Sequence, residues 1–194
     1  MTAAGSRIRF AGFGGQGVVL CGYIVGKAAM LDGKNAIHTQ SYGSASRGGL
    51  TRSDVVISDT DIYDLINDEL DLLVTMSQQS YDAFKGVLAP DGMLFFESDL
   101  VKMPGGGGKR AFGFPATDTA FKTFGRKIIA NILMIGFANA IAEIVSYDNL
   151  ARTISETVPA GTEEKNIAAL EEGMRLGKLA LDASPEPVVE GGGS

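Results

Sequence analysis

Three glycines near the amino terminus, Gly12, Gly14 and Gly17, fill the slots of G-x-G-x-x-G, and Gly15 stands between them. Residues of this type at this spacing can line an anion site, or serve only to turn a first strand tightly into a first helix. Without a Cβ, a turn can take positive φ and bring its amides close to a ligand. The amides that open a following helix have no intrahelical acceptor, and the helix dipole is positive there, so a phosphate or carboxylate is favoured. The context is right for that reading. A short apolar run with Ile8, Phe10 and Ala11 precedes the glycines, and an apolar helical pattern follows.

A second set of glycines lies further on, in Ser41-Tyr42-Gly43 and Arg47-Gly48-Gly49. Arg47 is the cation of this set, and a guanidinium holds phosphate or carboxylate bidentately. Tyr42 can hydrogen-bond or stack. In an open α/β sheet, ligands collect outside the carboxyl ends of the strands. If the first two strands run parallel, Gly14, Gly15, Gln16 and Gly17 face the same crevice as Ser41, Tyr42, Gly43, Arg47, Gly48 and Gly49.

Other chemistries find less support. A dinucleotide site calls for an acidic residue about 20 positions on, at the end of the second strand. Here that strand runs into Gln40, Ser41 and Tyr42, and Asp32 comes too early. The lone histidine, His38, sits beside Ala36 and Ile37 and reads as a packed residue rather than a catalytic base. The single cysteine, Cys21, excludes an internal disulfide framework and a self-contained four-cysteine iron–sulfur cluster, and it reads as a small buried hydrophobe. No His/Cys cluster supports zinc. A net charge of −6 argues against sequence-independent nucleic-acid binding. No basic segment followed by an apolar one marks a signal peptide, so a cytoplasmic location is the default expectation.

The elements that must position these residues can be read in order. At 194 residues and 45% hydrophobic, the chain can bury one substantial core. A single domain over residues 1–183 is expected, with 184–194 as a flexible tail. The first helix is expected from about Gly15 to Leu31, stopped by Asp32-Gly33. Asn35–Thr39 reads as strand two, followed by a polar glycine-bearing segment. Leu50–Ser58, rich in β-branched residues, reads as a strand that need not be parallel to its neighbours. Asp71–Met76 reads as a buried strand, with Ser77 able to cap the next helix. Asp91-Gly92 is expected to turn into the apolar run Met93–Phe96. Gly105–Gly108 reads as a surface loop, since no helix with a Lys-Ser/Thr pair completes a P-loop. Ala111–Phe114 reads as a strand and Asp118–Phe124 as a short helix.

Ile128–Val145 is the most apolar segment. It is shorter than the ~20 apolar residues of a membrane span and carries polar groups, so a buried helix is expected. Tyr147–Val158 and Thr162–Leu181 read as two further helices, the second capped by Thr162. Strands separated by helical patterns point to an α/β domain with its sheet covered on both faces.

Gly12-Phe13-Gly14-Gly15-Gln16-Gly17, Gln40-Ser41-Tyr42-Gly43 and Arg47-Gly48-Gly49 together resemble the gamma subunit of the 2-oxoacid:ferredoxin oxidoreductases. The order of elements through Ser98-Asp99-Leu100, and Asn131-Ile132-Leu133 opening the apolar helix, resemble that family too. The likeness covers about residues 7–180. Its phrasing is most similar to the 2-oxoglutarate enzymes, with the pyruvate, branched-chain and aryl 2-oxoacid enzymes also open. One departure stands out: Ser44-Ala45 replace the Pro-Glu common in the family.

The resemblance implies a three-layer α/β/α Rossmann-like domain with a mostly parallel sheet, one strand of which can run antiparallel. It implies a place beside alpha and beta (thiamine-binding) subunits and an iron–sulfur subunit. The assembled enzyme would hold thiamine diphosphate, Mg, iron–sulfur clusters and coenzyme A, with none of them bound by this chain alone. Its share would be to close over the active site and help form the coenzyme A channel, with no catalytic residue, no metal ligand, no nucleic-acid contact and no membrane span. The alternative is a freestanding Rossmann-like nucleotide-binding enzyme or sensor.

Overall fold

In the computed structural model, which describes residues 5–43, 49–63, 69–103 and 110–183, the central strand is the one that leads into the first glycine motif. This strand, β1 (Ser6–Phe13), is buried on both faces along most of its length. It lies between β3 (Leu50–Ser58) and β4 (Leu70–Thr75). With β2 (Asn35–Tyr42), β5 (Leu88–Glu97) and β6 (Ala111–Phe114), they form one sheet in the order β2-β3-β1-β4-β5-β6. The β1–β4, β4–β5 and β5–β6 pairs are parallel. β3 is antiparallel to both its neighbours. Two reversals restore direction, so β2 and β1 point the same way and their carboxyl ends share one rim with the start of β3.

Strand alternation sends successive side chains to opposite faces. One face carries Ile8, Phe10, Val55, Ile57, Leu72 and Phe95, all in the main core. It is covered by α1 (Val18–Leu31) and α4 (Ala130–Ala142), with α5 (Tyr147–Thr157) and α6 (Glu163–Asp182) packed behind them. On the other face, Leu73 and Leu94 meet Tyr81 and Phe84 of α2 (Gln78–Phe84) in a smaller cluster. The remaining helix, α3 (Ala116–Phe124), joins β6 to a 3-10 turn at Lys127–Ile129 ahead of α4. The fold is therefore α/β with helices on both faces of a mixed, mostly parallel sheet.

Several boundaries differ from expectation, each for a local reason. α1 begins at Val18 rather than Gly15, because Gly17 takes the left-handed conformation (φ 74°) and cannot continue a helix. β2 runs to Tyr42, since every residue from Asn35 to Tyr42 has a partner on β3. β5 passes through Asp91-Gly92, with a register irregularity in its ladder to β4. The apolar segment ends its helix at Ala142, where Asn139 uses its amide to accept from Val145 N and donate to Val145 O, both at 3.0 Å. Thr162 stands at the N-cap position of α6, but its side chain makes no capping hydrogen bond. Its hydroxyl donates to Pro159 O at 2.6 Å and accepts from Asn166 Nδ2.

The burial expected of the apolar helix is met: every residue from Ala130 to Asn139 is buried. α6 crosses it at very close range, and a Cβ on Gly173 would stand 2.2 Å from Leu133 O. No helix among the described residues is long and apolar enough to cross a membrane.

Candidate functional site

The first glycine turn is held from beneath by Gln16. Phe13 N donates to Gln16 Oε1 at 2.7 Å, and Gln16 Nε2 donates to Met76 O at 2.7 Å. Met76 N in turn donates to Ala11 O, so the ends of β1 and β4 are tied through one side chain. Gly17 is the N-cap of α1, and no side chain caps the helix. The amides of its first turn therefore keep their positive end directed at the rim.

The second glycine segment meets the first. Gly14 N donates to Gly49 O at 3.2 Å, Thr51 Oγ1 donates to the same carbonyl at 3.3 Å, and Gly43 N donates to Leu50 O at 2.7 Å. Ser41 and Tyr42 are not in this loop. They are the last residues of β2, opposite Arg52 and Thr51, and Tyr42 is 65% exposed at the sheet edge. Arg47 and Gly48, with Ser44-Ala45, lie outside the described residues.

On the other side of the glycine turn, a cleft of about 230 Å³ opens between Gly15, Gln16 and Met76 and the elements that follow β5. Its far wall is Leu100, Thr117, Lys127 and Ile128. Glu97, fully buried at the end of β5, sets that wall. It accepts from Asp99 N at 3.2 Å and from both Thr117 N and Thr117 Oγ1 at 2.7 Å, so its carboxylate anchors the start of α3. Burial pushes the Glu97 carboxyl above its ordinary range, against the pull of these donors. Lys127 has no ion pair among the described residues, and its Nζ lies 5.8 Å from the centre of the Phe121 ring. The cleft offers an exposed cation, backbone amides and an apolar floor, a combination suited to an anion attached to an apolar or flexible body.

The remaining single-copy residues do structural work. His38 Nε2 is 2.7 Å from Ser53 Oγ, and burial lowers its pKa, with Asp54 opposing. Cys21 is buried, and burial pushes its thiol up to about 12. That leaves no thiolate for metal or nucleophilic chemistry at neutral pH. No group of His, Cys, Asp or Glu among the described residues has metal-holding geometry.

A family model described as pyruvate ferredoxin/flavodoxin oxidoreductase matches residues 7–176. The chain belongs to that family. Subunit KorC of 2-oxoglutarate synthase from Methanocaldococcus jannaschii is 42% identical over 175 residues, covering 88% of this chain and 93% of its own length. Subunit PorC of pyruvate synthase from Methanothermobacter thermautotrophicus is 33% identical over 168 residues, covering 84% and 90%. Among solved structures, the keto/oxoacid ferredoxin oxidoreductase gamma subunit from Geobacter sulfurreducens superposes with a TM-score of 0.79 at 35% identity, over 90% of this chain and 99% of that one. The chain is a gamma subunit of the 2-oxoacid:ferredoxin oxidoreductases, and so one component of an oxidoreductase complex.

In this gamma subunit, the fold brings Gly14 and Gly49 into contact, lines the cleft with Gly15 and Gln16, and leaves Ser41 and Tyr42 two strands away at the edge. The motif reading missed Lys127, Thr117 and Leu100, which come from distant parts of the chain. One signal for Lys127 was present. A lysine just ahead of an apolar helix stands at the positive end of the dipole, where a cation is disfavoured.

Proposed function

We propose that this gamma subunit serves a 2-oxoglutarate:ferredoxin oxidoreductase, with its sheet rim closing over the shared active site and taking an anionic part of coenzyme A. The higher identity to the 2-oxoglutarate synthase subunit, 42% against 33% for the pyruvate synthase subunit, supports the choice of 2-oxoacid. Thiamine diphosphate with Mg, held by partner subunits, would supply the decarboxylation, iron–sulfur clusters would carry the electrons to ferredoxin, and the acyl group would leave on coenzyme A. One buried cysteine fits a subunit that carries no cluster itself. The isolated chain is expected to be inactive.

The observation that carries the site reading is the contact between the two glycine segments beside an uncapped helix start. A phosphate or carboxylate in the cleft beside Gly15 and Gln16 would meet the positive end of α1 and the Lys127 ammonium. These groups bind and orient, and no proton transfer is assigned to this chain.

The test is steady-state kinetics of the assembled enzyme carrying Lys127→Glu. Removing one charge-assisted contact and adding a repulsive one should raise the KM for coenzyme A by about tenfold or more, with kcat little changed. Unchanged KM values for both coenzyme A and 2-oxoglutarate would take the cleft out of the site. A preference for pyruvate over 2-oxoglutarate would overturn the substrate assignment alone.

A further inference from the structure

The two edges of the sheet are built differently. β6 is four residues long and preceded by Arg110, whose guanidinium donates to Asp91 O at 2.6 Å. Short edges flanked by charge are a common defence against unwanted strand pairing. β2, at the opposite edge, has eight residues, Asn-Ala-Ile-His-Thr-Gln-Ser-Tyr, with no charge and no proline. Its ladder to β3 is unbroken from Asn35 to Tyr42, so no bulge turns the edge away. Such an edge is a template for another strand.

On the face beside this edge, two arginines meet one carboxylate. By ladder register, Arg9, Asp54 and Thr39 form one row across β1, β3 and β2, and Ala11, Arg52 and Ser41 the next. Two guanidiniums share the single carboxylate of Asp54. Arg9, itself buried, takes it with Nε–Oδ1 at 2.6 Å and a second N–H at 3.3 Å, and it stacks 4.8 Å from the Phe84 ring centre. Arg52 stays at 3.5 Å from the same group and keeps 39% of its side chain exposed. Half-buried Ile37 and Val56 continue this face, and the cleft here holds about 170 Å³. α2 packs on β1 and β4, while α1, the helix packed on β3 and β2, lies on the opposite face.

We infer that β2 receives an extended segment of a partner subunit, paired as a seventh strand, with a carboxylate on that segment engaging Arg52. The occupant's chemistry follows from the receiving surface. Adjacent strands lie ~4.8 Å apart, so a residue opposite Ser41 on an added strand comes within reach of an arginine one strand further in. A second copy of this chain would bring an uncharged β2, which offers no carboxylate to Arg52. The inference rests on the subunit reading given above.

The test uses the chain co-expressed with its partner subunits, with hydrogen exchange followed over residues 35–42 and 50–58. Assembly should slow exchange in β2 by at least about tenfold relative to the isolated chain. Arg52→Glu and Thr39→Glu should each weaken assembly by about tenfold or more, while Arg52→Lys retains most of it. Thermal melts of the isolated variants establish that each is folded, and Thr39, being exposed, provides the variant that leaves the core untouched. If the complex assembles with β2 exchanging as fast as in the isolated chain, this inference fails and the subunit reading stands. Concentration-dependent protection of β2 in the isolated chain would overturn it in favour of a second copy. A chain that captures no partner subunit overturns both readings.

Discussion

Gly14 donates its backbone N–H to the carbonyl of Gly49 across 3.2 Å, which makes the two glycine segments one structural unit at the rim of the sheet. The contact exists because β3 reverses direction. Its first residue, Leu50, pairs with Phe13, the last residue of β1, so the loop entering β3 is delivered to the turn leaving β1.

Gly17 has two reasons to be glycine, and Gly15 only one. Both take positive φ, at 74° and 91°. A Cβ on Gly17 would also stand 2.3 Å from Asn131 Nδ2, whereas one on Gly15 meets nothing within 4 Å. Gly15→Ala should therefore cost about 1 kcal/mol, the conformational penalty alone. Gly17→Ala should cost about 2–4 kcal/mol, because the buried Asn131 side chain, which accepts from Ile132 N, must also give way. Denaturant titration of the two variants checks the difference, and equal losses would refute the account.

Gln16 is a strut between strands. Gln16→Ala should cost about 1–3 kcal/mol, since Phe13 N and Met76 O each lose a partner. Gln16→Glu should be no better. It restores an acceptor for Phe13 N but places a carboxylate oxygen against the Met76 carbonyl. A Glu variant as stable as the parent at pH 7 would contradict this geometry.

Asp32 links the end of α1 to the start of α5, accepting from Ser146 N at 2.7 Å and Asn149 Nδ2 at 2.6 Å. Burial opposes its ionisation, but these donors outweigh burial and hold its carboxyl below the usual range. A depressed native value means that the unfolded chain binds the proton more readily. The stabilisation is thus present above the ordinary Asp value near 3.9 and lost as pH falls through the lower native value. Asp32→Asn should cost about 1 kcal/mol at pH 7, solvent screening keeping the figure small. The deficit should shrink on acidification, and melting curves from pH 7 to pH 2.5 read it directly. A deficit that grows with acid would reverse the assignment.

Gly173 sets the spacing between α6 and α4. Gly173→Ala should destabilise by about 2–3 kcal/mol, because the clash is with the backbone carbonyl of Leu133 and no rotamer change relieves it. A loss below about 0.5 kcal/mol would show that the helices can part without cost.

Much of the fold was legible locally. Leu50–Ser58 and Ala111–Phe114 form strands with the boundaries that β-branched and aromatic content suggested. Ser77 caps α2 with its side chain, accepting from Ser80 N at 3.2 Å. The strand–glycine–helix order at Phe10 to Val18 was visible in residue types alone, and so was the family, through the combination of its glycine motifs. Burial of the apolar helix followed from its composition. The boundaries that moved were those set by a distant partner. β2 extends to Tyr42 because β3 pairs with it, and that pairing leaves no trace in β2's own polar end.

What the sequence determined by itself was therefore the set of elements, the glycine turn between a first strand and a first helix, and membership of the family. Propensity, periodicity and motif spacing are all local properties of the chain. Only the tertiary structure decided that Gly49 would touch Gly14, that Lys127 would face Gln16 across a cleft, and that the uncharged strand would be left at the edge. Strand direction and order are chosen by which arrangement buries the most apolar surface while pairing every buried backbone group, and that choice is made by the whole molecule at once.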